Sequence, residues 1–513
     1  MIDLRAIRLS ALLLAPVVHA ANYCQSCHPK EVAAYSHSNM SRSLRRPGME
    51  PAGAFTSTVS ATTTRFTIRA SDKGVFIRLE RFGGSAEYRV AYVIGSGNHA
   101  SSYLIQVGDH LFQSPICYYT SRHAYDLAPG FERVAEPDFT RPVGAECVLC
   151  HSGRPQPIPG TTNQFKRPVF LEESISCERC HGLSEEHLKR PTPGSIVNPS
   201  RLSPAERDSI CEQCHLTGVT QRILNPGKHF EDFRAGQRLE EVFTVYTRTG
   251  PGAFKVISHS EQLAQSACAR NSEGKLWCGT CHDPHPQSVP TAKTYDSQCQ
   301  ACHKGKLGTS HTADTKCVSC HMTRRPAQDG GHTVFTDHRI GKRPEPGAQA
   351  SGPGDLKAWR EPEPVLQGRN LALAYVNAGI YGHSPADVER GYQLLIDVQK
   401  SSPGDIDVLK TLGRALLLGR EPRQALLAFE QVLRTTPDRA TSQEDVGIAY
   451  FQSGQLDSAA SHLERALQLD PLQLSAGTAL QAVYRKQGYD QKADALAERI
   501  RRSMLNLPNR SAQ

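Results

Sequence analysis

Between about Pro51 and Asp138, apolar and polar residues alternate. Phe66 and Ile68, then Val75, Ile77 and Leu79, then Tyr88, Val90 and Tyr92, then Tyr103, Ile105 and Val107 fall on every second position. Gly83-Gly84, Gly95-Ser96-Gly97 and Gly108-Asp109 interrupt the runs. Successive side chains of a strand point to opposite faces, so this period, rich in β-branched and aromatic residues, predicts a small antiparallel β insert over about 51–138. Downstream the pattern changes twice. From Cys147 to about Ile340 the chain is loop-rich, with short helical pieces, and a Pro/Gly-rich linker follows at 341–366. Beyond it the apolar spacing becomes helical and a 34-residue period appears. Pro403, Pro437 and Pro471 keep it, as do Ala425, Ala459 and Ala493, and Gly379, Gly413 and Gly447, with Gln481 where a fourth Gly would fall.

Paired amphipathic helices with that period, Gly or Ala at close-packing positions and Gly454 and Gly488 at turns resemble the tetratricopeptide repeat. Four units are expected, 369–402, 403–436, 437–470 and 471–504, forming an α-solenoid over 367–505. A plain helical bundle is the alternative, but it gives no reason for several positions to share one period. Stacked helix pairs commonly bind proteins on their concave face, so the repeats are expected to dock a redox partner protein, or else to pack on the rest of the chain.

Composition makes the middle of the chain the puzzle. Only 38% of the 513 residues are hydrophobic and 7% aromatic, with 40 Gly and 33 Pro. Such a chain needs another source of core, long loops, or both. The N-terminus reads as a signal peptide over 1–20: Arg5 and Arg8, the apolar run Leu9 to Val18, then Val18-His19-Ala20 before Ala21. An uncleaved anchor is the alternative, although the run is too short to span a bilayer. The mature chain, from 21, is therefore expected in the periplasm or outside the cell, soluble or peripherally attached to a membrane. Cys24 has no convincing lipobox before it. The net charge is +8, with no long Lys/Arg run and no nucleic-acid module, which argues against nucleic acid as a partner.

Cysteine carries the chemistry. Of 16 cysteines, 14 form seven Cys-x-x-Cys-His motifs: Cys24/Cys27/His28, Cys147/Cys150/His151, Cys177/Cys180/His181, Cys211/Cys214/His215, Cys278/Cys281/His282, Cys299/Cys302/His303 and Cys317/Cys320/His321. With 16 Cys and 21 His in 513 residues, chance gives about 0.02 such motifs. Thiols three apart lie on one side of a helical turn, where each adds to one vinyl group of a porphyrin, and the following His binds the iron from below. The motifs predict seven covalently attached haem c groups in a domain spanning 21–340. Zinc is the competing reading, but zinc does not require a His after every second Cys. About 14 propionates would also offset the chain's positive charge. Cys117 and Cys268 remain, as separate buried thiols or a mutual disulfide.

Each iron has a sixth position. A second His there gives an electron carrier, and an open position gives a substrate site. The favoured distal candidates are His37, His99, His187, His259, His285, His311, His332 and His338, with Met40 a thioether alternative near His37. His110, His123 and His229 are less favoured. For any one of them the plain alternative is a surface or propionate-binding His.

The stretches ISCERCHGLSEEH (175–187), LWCGTCHDPH (276–285) and CVSCHMTRRPAQDGGHTVFTDH (317–338) make residues 22–340 resemble the cytochrome c-552/4 family, whose relatives include hydroxylamine-oxidoreductase-like and octahaem-reductase-like proteins. The resemblance implies stacked and perpendicular haem pairs with mainly bis-His ligation. Some relatives are enzymes with one five-coordinate haem. This chain differs in having no Cys-x-x-Cys-Lys motif and seven motifs rather than eight, so enzyme activity does not follow from resemblance. The expected class is a multidomain, loop-rich, mainly α multihaem cytochrome domain with a β insert, followed by the solenoid. Electron transfer is the expected function. The rivals are a reductase or oxidase of a small nitrogen or sulfur compound at one open haem, and a structural protein that haem merely stabilises.

Overall fold

A computed structural model of the chain describes residues 20–48, 50–59, 62–219, 222–249, 254–286, 288–303, 316–341 and 354–505. Residues 1–19 of the expected signal peptide, most of the expected linker, and His311 lie outside them. The chain is multidomain, β-rich toward its N-terminus and helical toward its C-terminus.

Eight strands form the sheet: β1 (Leu44–Arg45), β2 (Gly53–Ser57), β3 (Thr64–Ser71), β4 (Gly74–Arg81), β5 (Gly84–Ile94), β6 (Ala100–Val107), β7 (His110–Tyr119) and β8 (Ala124–Leu127). Strands β2 to β8 form an antiparallel meander in sequence order, and β1 pairs with the far end of β5. The alternating residues share the inner face, Phe66 opposite Leu79 and Ile68 opposite Ile77. The β5–β6 register slips between Val90 and Tyr92, and such irregularities bend a strand. The sheet curls until β8 meets β2, where the Tyr125 hydroxyl donates to the Pro51 carbonyl at 2.6 Å.

The sheet is larger than the small insert expected. It starts at Leu44, and β7 escaped the alternating pattern. That strand is covered on both faces: Phe112 and Ile116 join the inner core, while Leu111 joins a second cluster with Val143, Val148, Phe165 and Phe170. A strand buried on both sides loses its polar alternation. This second cluster fixes the helix that carries the second motif. The linker is also shorter than expected. Leu356–Ala358 pairs with Tyr246–Arg248, and the Trp359 indole N–H donates to Glu212 at 3.0 Å.

The repeat consists of four helix pairs: Pro364–Tyr381 with Pro385–Ser401, Ile406–Leu418 with Pro422–Thr435, Ala440–Gln452 with Leu456–Leu469, and Leu474–Lys486 with Asp490–Met504. The periodic glycines sit where helices touch. A Cβ on Gly379 would lie 2.6 Å from Val388, one on Gly447 2.7 Å from Leu463, and one on Gly413 would strike the Phe429 ring. Gly447→Ala tests this. Alanine gains about 1 kcal/mol of helix propensity, but forcing a methyl into a filled site costs about 1–3 kcal/mol. A net loss of about 1 kcal/mol is expected, read as a lower unfolding midpoint in urea. An unchanged or raised midpoint would show that the contact yields.

Both ends of the repeat are fastened to this chain. At the first pair, Arg369 donates to the Leu224 carbonyl at 2.8 Å and Asn370 to Asn225 at 3.0 Å, and Arg248 pairs with Asp387 at 2.5 Å. At the last pair, Leu472 and Met504 enter the core of the sheet, Thr162 donates to Gln473 at 3.2 Å, and buried His110 meets buried Asp470 at 2.8 Å. Among the described residues no helix is long and apolar enough to cross a membrane.

Candidate functional site

Each motif occupies about one helical turn. The carriers are Ala20–Gln25, Ala145–Leu149, Cys177–His181, Pro204–His215, Cys278–Cys281, Ala292–His303 and Cys317–His321. Backbone bonds close the turns, as from His28 N–H to the Cys24 carbonyl at 2.7 Å and from His282 N–H to Cys278 at 2.9 Å. Positions i, i+3 and i+4 share a helix face, so two thiols and an imidazole point the same way. The Pro204–His215 helix is the longest-prepared of these: Ser203 and Glu206 cap each other at its start.

The motifs form one array. Thiols of different motifs lie close enough to interact: Cys24 with Cys177, Cys150 with Cys214, and Cys211 with Cys278. Cys180 lies near Cys211, Cys302 near Cys281, and Cys317 near Cys299. The run is therefore first, third, fourth, fifth, sixth, seventh, with the second attached to the fourth.

Two of the expected thioether anchors, Cys27 and Cys320, are not drawn into these contacts. Both are exposed, and no described contact joins either thiol to another motif. Their place in the run explains this. They are the second thiols of the first and seventh motifs, the two ends, where no further motif covers the outer side. At the first end the helix stops at Gln25, and the turn is completed by a bond from Cys27 N–H to the Cys24 carbonyl at 3.2 Å. The Cys27 sulfur accepts from the adjacent Ser26 hydroxyl at 3.8 Å. At the other end the Cys317–His321 helix buries none of its residues. Cys147 and Cys302 are exposed as well.

Among the described residues no disulfide links any of the 16 cysteines, so Cys117 and Cys268 are not bridged to each other. Cys117 is buried in β7, where burial pushes its thiol up to about 12, and Cys268 lies beside the fifth motif.

Histidines from elsewhere in the chain meet motif histidines. Ring centroids are 6.3 Å apart for His28 and His187, 6.0 Å for His181 and His285, and 6.0 Å for His282 and His338. Two imidazoles on opposite sides of one metal ion, each with a bond of about 2 Å, hold their centroids about 6 Å apart. His215 faces His259 at 5.1 Å, and His259 also lies 4.8 Å from His338.

Hydrogen bonds orient several of these rings. Nδ1 meets a carbonyl oxygen in His181 (Val197, 2.8 Å), His321 (Gly341, 3.0 Å) and His338 (Thr336, 3.0 Å). In His187 it meets the Ser195 hydroxyl at 3.0 Å, whose own proton goes to the Arg190 carbonyl. A carbonyl only accepts, so Nδ1 carries the proton and Nε2 keeps its lone pair, the arrangement that metal-binding histidines use. Burial holds His151, His181, His282 and His338 below the usual imidazole range. Burial and the neighbouring imidazoles bring His215 to about 4 and His259 to about 2. The neutral ring is the ligating form.

Other candidates sit elsewhere. His37 is exposed after the helix Pro29–Tyr35, and Met40 is half-buried in the next turn. The His99 ring packs 4.5 Å from Phe335, and His332 pairs with Asp126 at 3.0 Å, against Tyr119. Both lie where the hairpin Arg324–Pro326 and Val334–Thr336 meets the sheet, and no described ring contact joins either to a motif histidine. His303 is exposed at the end of its helix. His123 takes a left-handed backbone after β7, with φ of 50°. His229 and Ala145 line a crevice of about 210 Å³ beside the second motif.

Two residues that sequence reasoning missed are Arg179 and Arg222. Both lie among the motif thiols, and the Nε of each is buried without an acceptor. A haem propionate is a carboxylate of the kind such a guanidinium pairs with. Arg179 stands inside the third motif, between Cys177 and Cys180, but nothing in the sequence points it at the second, and nothing local marks Arg222.

No protein-family profile matches the chain, and no curated protein does. Matching solved structures include MamA MSR-1, 23% identical over 27% of this chain and 76% of that one, with a TM-score of 0.24. MamA AMB-1 is 22% identical over 27% and 78%, also at 0.24. MamA from residue 41 of Desulfovibrio magneticus RS-1 is 18% identical over 28% and 86%, at 0.25.

Proposed function

We propose that this chain is a multihaem cytochrome c that passes electrons along seven covalently bound haems outside the cytoplasm, and that its helical repeat both braces the array and docks a redox partner. The observation that carries this reading is the set of three imidazole pairs 6.0–6.3 Å apart, each joining a motif histidine to a histidine from another segment. Haem c, when bound, supplies a one-electron couple at its iron. The chain's own residues do the rest. The motif thiols would attach each haem and the motif histidines would bind its iron, with His187, His285, His259 and His338 as second ligands for four of the seven. The carbonyls of Val197, Gly341 and Thr336 fix the ring tautomers. Thiol contacts between motifs keep neighbouring centres close enough for an electron to pass. Cys27 and Cys320 at the two ends of the run are exposed, as are Cys147 and Cys302, so a partner could reach the array at either end or beside the second and sixth motifs.

The test is haem content. The mature chain should carry seven haems, read from its mass and from the pyridine haemochrome spectrum. Zinc in place of haem would overturn the reading.

A reductase or oxidase acting on a small nitrogen or sulfur compound is the second reading, and one observation favours it. Among the described residues no imidazole ring contact is made with His151, and the crevice of about 210 Å³ lies beside that motif. It requires one high-spin haem per chain in the oxidised protein. Wholly low-spin spectra would remove it.

A further inference from the structure

The fourth motif is a junction. Its thiols reach three others: Cys211 meets Cys278 and lies near Cys180, and Cys214 meets Cys150. The geometry ties the second motif to the fourth directly: Cys150 Sγ donates to the carbonyl of Gln213, inside the fourth motif, at 3.8 Å. Haems stapled to these two motifs would therefore be neighbours. The second motif touches the array only here among the described thiol contacts. It is a side branch, not a link in the run.

Two guanidinium groups stand at this branch. The Arg222 side chain is 7% exposed. Its Nη2 donates to the Gln213 carbonyl at 3.1 Å and the Leu216 carbonyl at 3.4 Å, and lies 3.8 Å from Cys150 Sγ. Those carbonyls end the Pro204–His215 helix, whose dipole favours a cation there. The nearest carboxylate, Glu146, is 3.8 Å from Nη1. Arg179 donates from Nη2 to the Leu149 carbonyl at 3.3 Å, and its charge acts on both Cys150 and Cys214. Folding alone gives little reason to bury Arg222 and the Nε of half-buried Arg179 without an acceptor, because each such group costs desolvation.

We propose that Arg222, backed by Arg179, makes the second and fourth motifs the electron-collecting branch of the array. The inference rests on the cytochrome reading above. Reducing a ferric centre adds one electron and lowers its charge by one, so a buried cation a few ångströms away favours the reduced state. Two adjacent centres biased this way hold two electrons drawn from the rest of the array, and no proton or further reactant is needed. The branch then suits a two-electron acceptor better than any position on the run.

The experiment is a spectroelectrochemical titration of the mature full-length chain and three variants. Arg222→Gln should lower the potentials of two of the seven haems and leave five in place. Arg222→Lys, which keeps the charge, should restore most of the difference. Glu146→Gln removes the opposing carboxylate and should move the same two haems upward. Unchanged potentials in Arg222→Gln, or an equal shift of all seven, would overturn the proposal while leaving the cytochrome reading intact. A haem-free mature chain would instead overturn that reading, and this inference with it. If Arg222→Gln fails to mature, Glu146→Gln decides alone: an upward shift of two haems supports the proposal, and no shift rejects it.

Discussion

Made without the haem proposed above, the chain will lose fixed structure in the described residues between about 259 and 341 while its sheet and helical repeat stay folded. The argument is one of core. Among the described residues between Phe254 and Leu356, Pro286 and Ala327 are the buried apolar side chains. The helices Ala292–His303 and Cys317–His321 bury nothing. A 12-residue helix without tertiary packing is marginal in water, and the segment's ion pairs, such as Asp337 with Arg325 and Arg339, do not replace an apolar core. The faces of bound porphyrins would supply that core. The sheet needs no such help, since Phe66, Ile77, Val90, Tyr103 and Phe112 already fill its interior. The repeat likewise closes on Leu395, Leu412, Phe429 and Leu463. Hydrogen exchange on the mature chain and on a chain with its motif cysteines replaced by serine should differ mainly in this segment. Protection there should fall by about 100-fold or more, and protection in the sheet by far less. Equal protection in both forms would mean that side chains alone hold the segment, and the proposed role of haem as core would fail.

How much of this was legible in the sequence varies with how local its cause is. The alternation at Phe66, Ile68, Val75, Ile77 and Leu79 marks strands because one face is buried and the other wet. The same rule hides β7, whose two faces serve two clusters. The 34-residue spacing of Gly379, Gly413 and Gly447 was legible because each meets one partner side chain within its own unit. The seven motifs look alike in sequence, yet Cys27 and Cys320 meet no other motif among the described contacts while Cys211 and Cys214 lie at a junction, because position in the array decides what a thiol meets. The imidazole pairs obey no local rule either. His187 stands six residues from His181 yet faces His28, and His338 faces His282 rather than the nearer motif histidine His321. His332 and His338 flank one short strand and go to different places, one to Asp126 on the sheet and one into the array. Sequence proximity says little when the partner is chosen by packing between distant segments. Arg179 and Arg222 are harder still to find, because only their surroundings distinguish them from surface arginines.

That contrast between His332 and His338 gives the sharpest test of the pairing. His338→Ala removes the ring facing His282, and with it the Nδ1–Thr336 bond that orients it. If the chain carries the seven haems proposed, one further haem should become high-spin in the oxidised protein, and one further equivalent of carbon monoxide should bind to the reduced protein. His332→Ala, six residues upstream, should leave both readings unchanged, since its ring belongs to Asp126 and Tyr119. His187→Ala should repeat the His338 result for the first motif. His259 is the informative exception. It lies between His215 and His338, so its loss removes one facing ring and unpacks another. His259→Ala should therefore open one position outright and broaden the signal of the fifth-motif haem, an effect the other variants lack. A high-spin signal from His332→Ala and none from His338→Ala would reverse the pairing. The pairing drawn from ring separations near 6 Å would then be wrong, however many haems the chain carries.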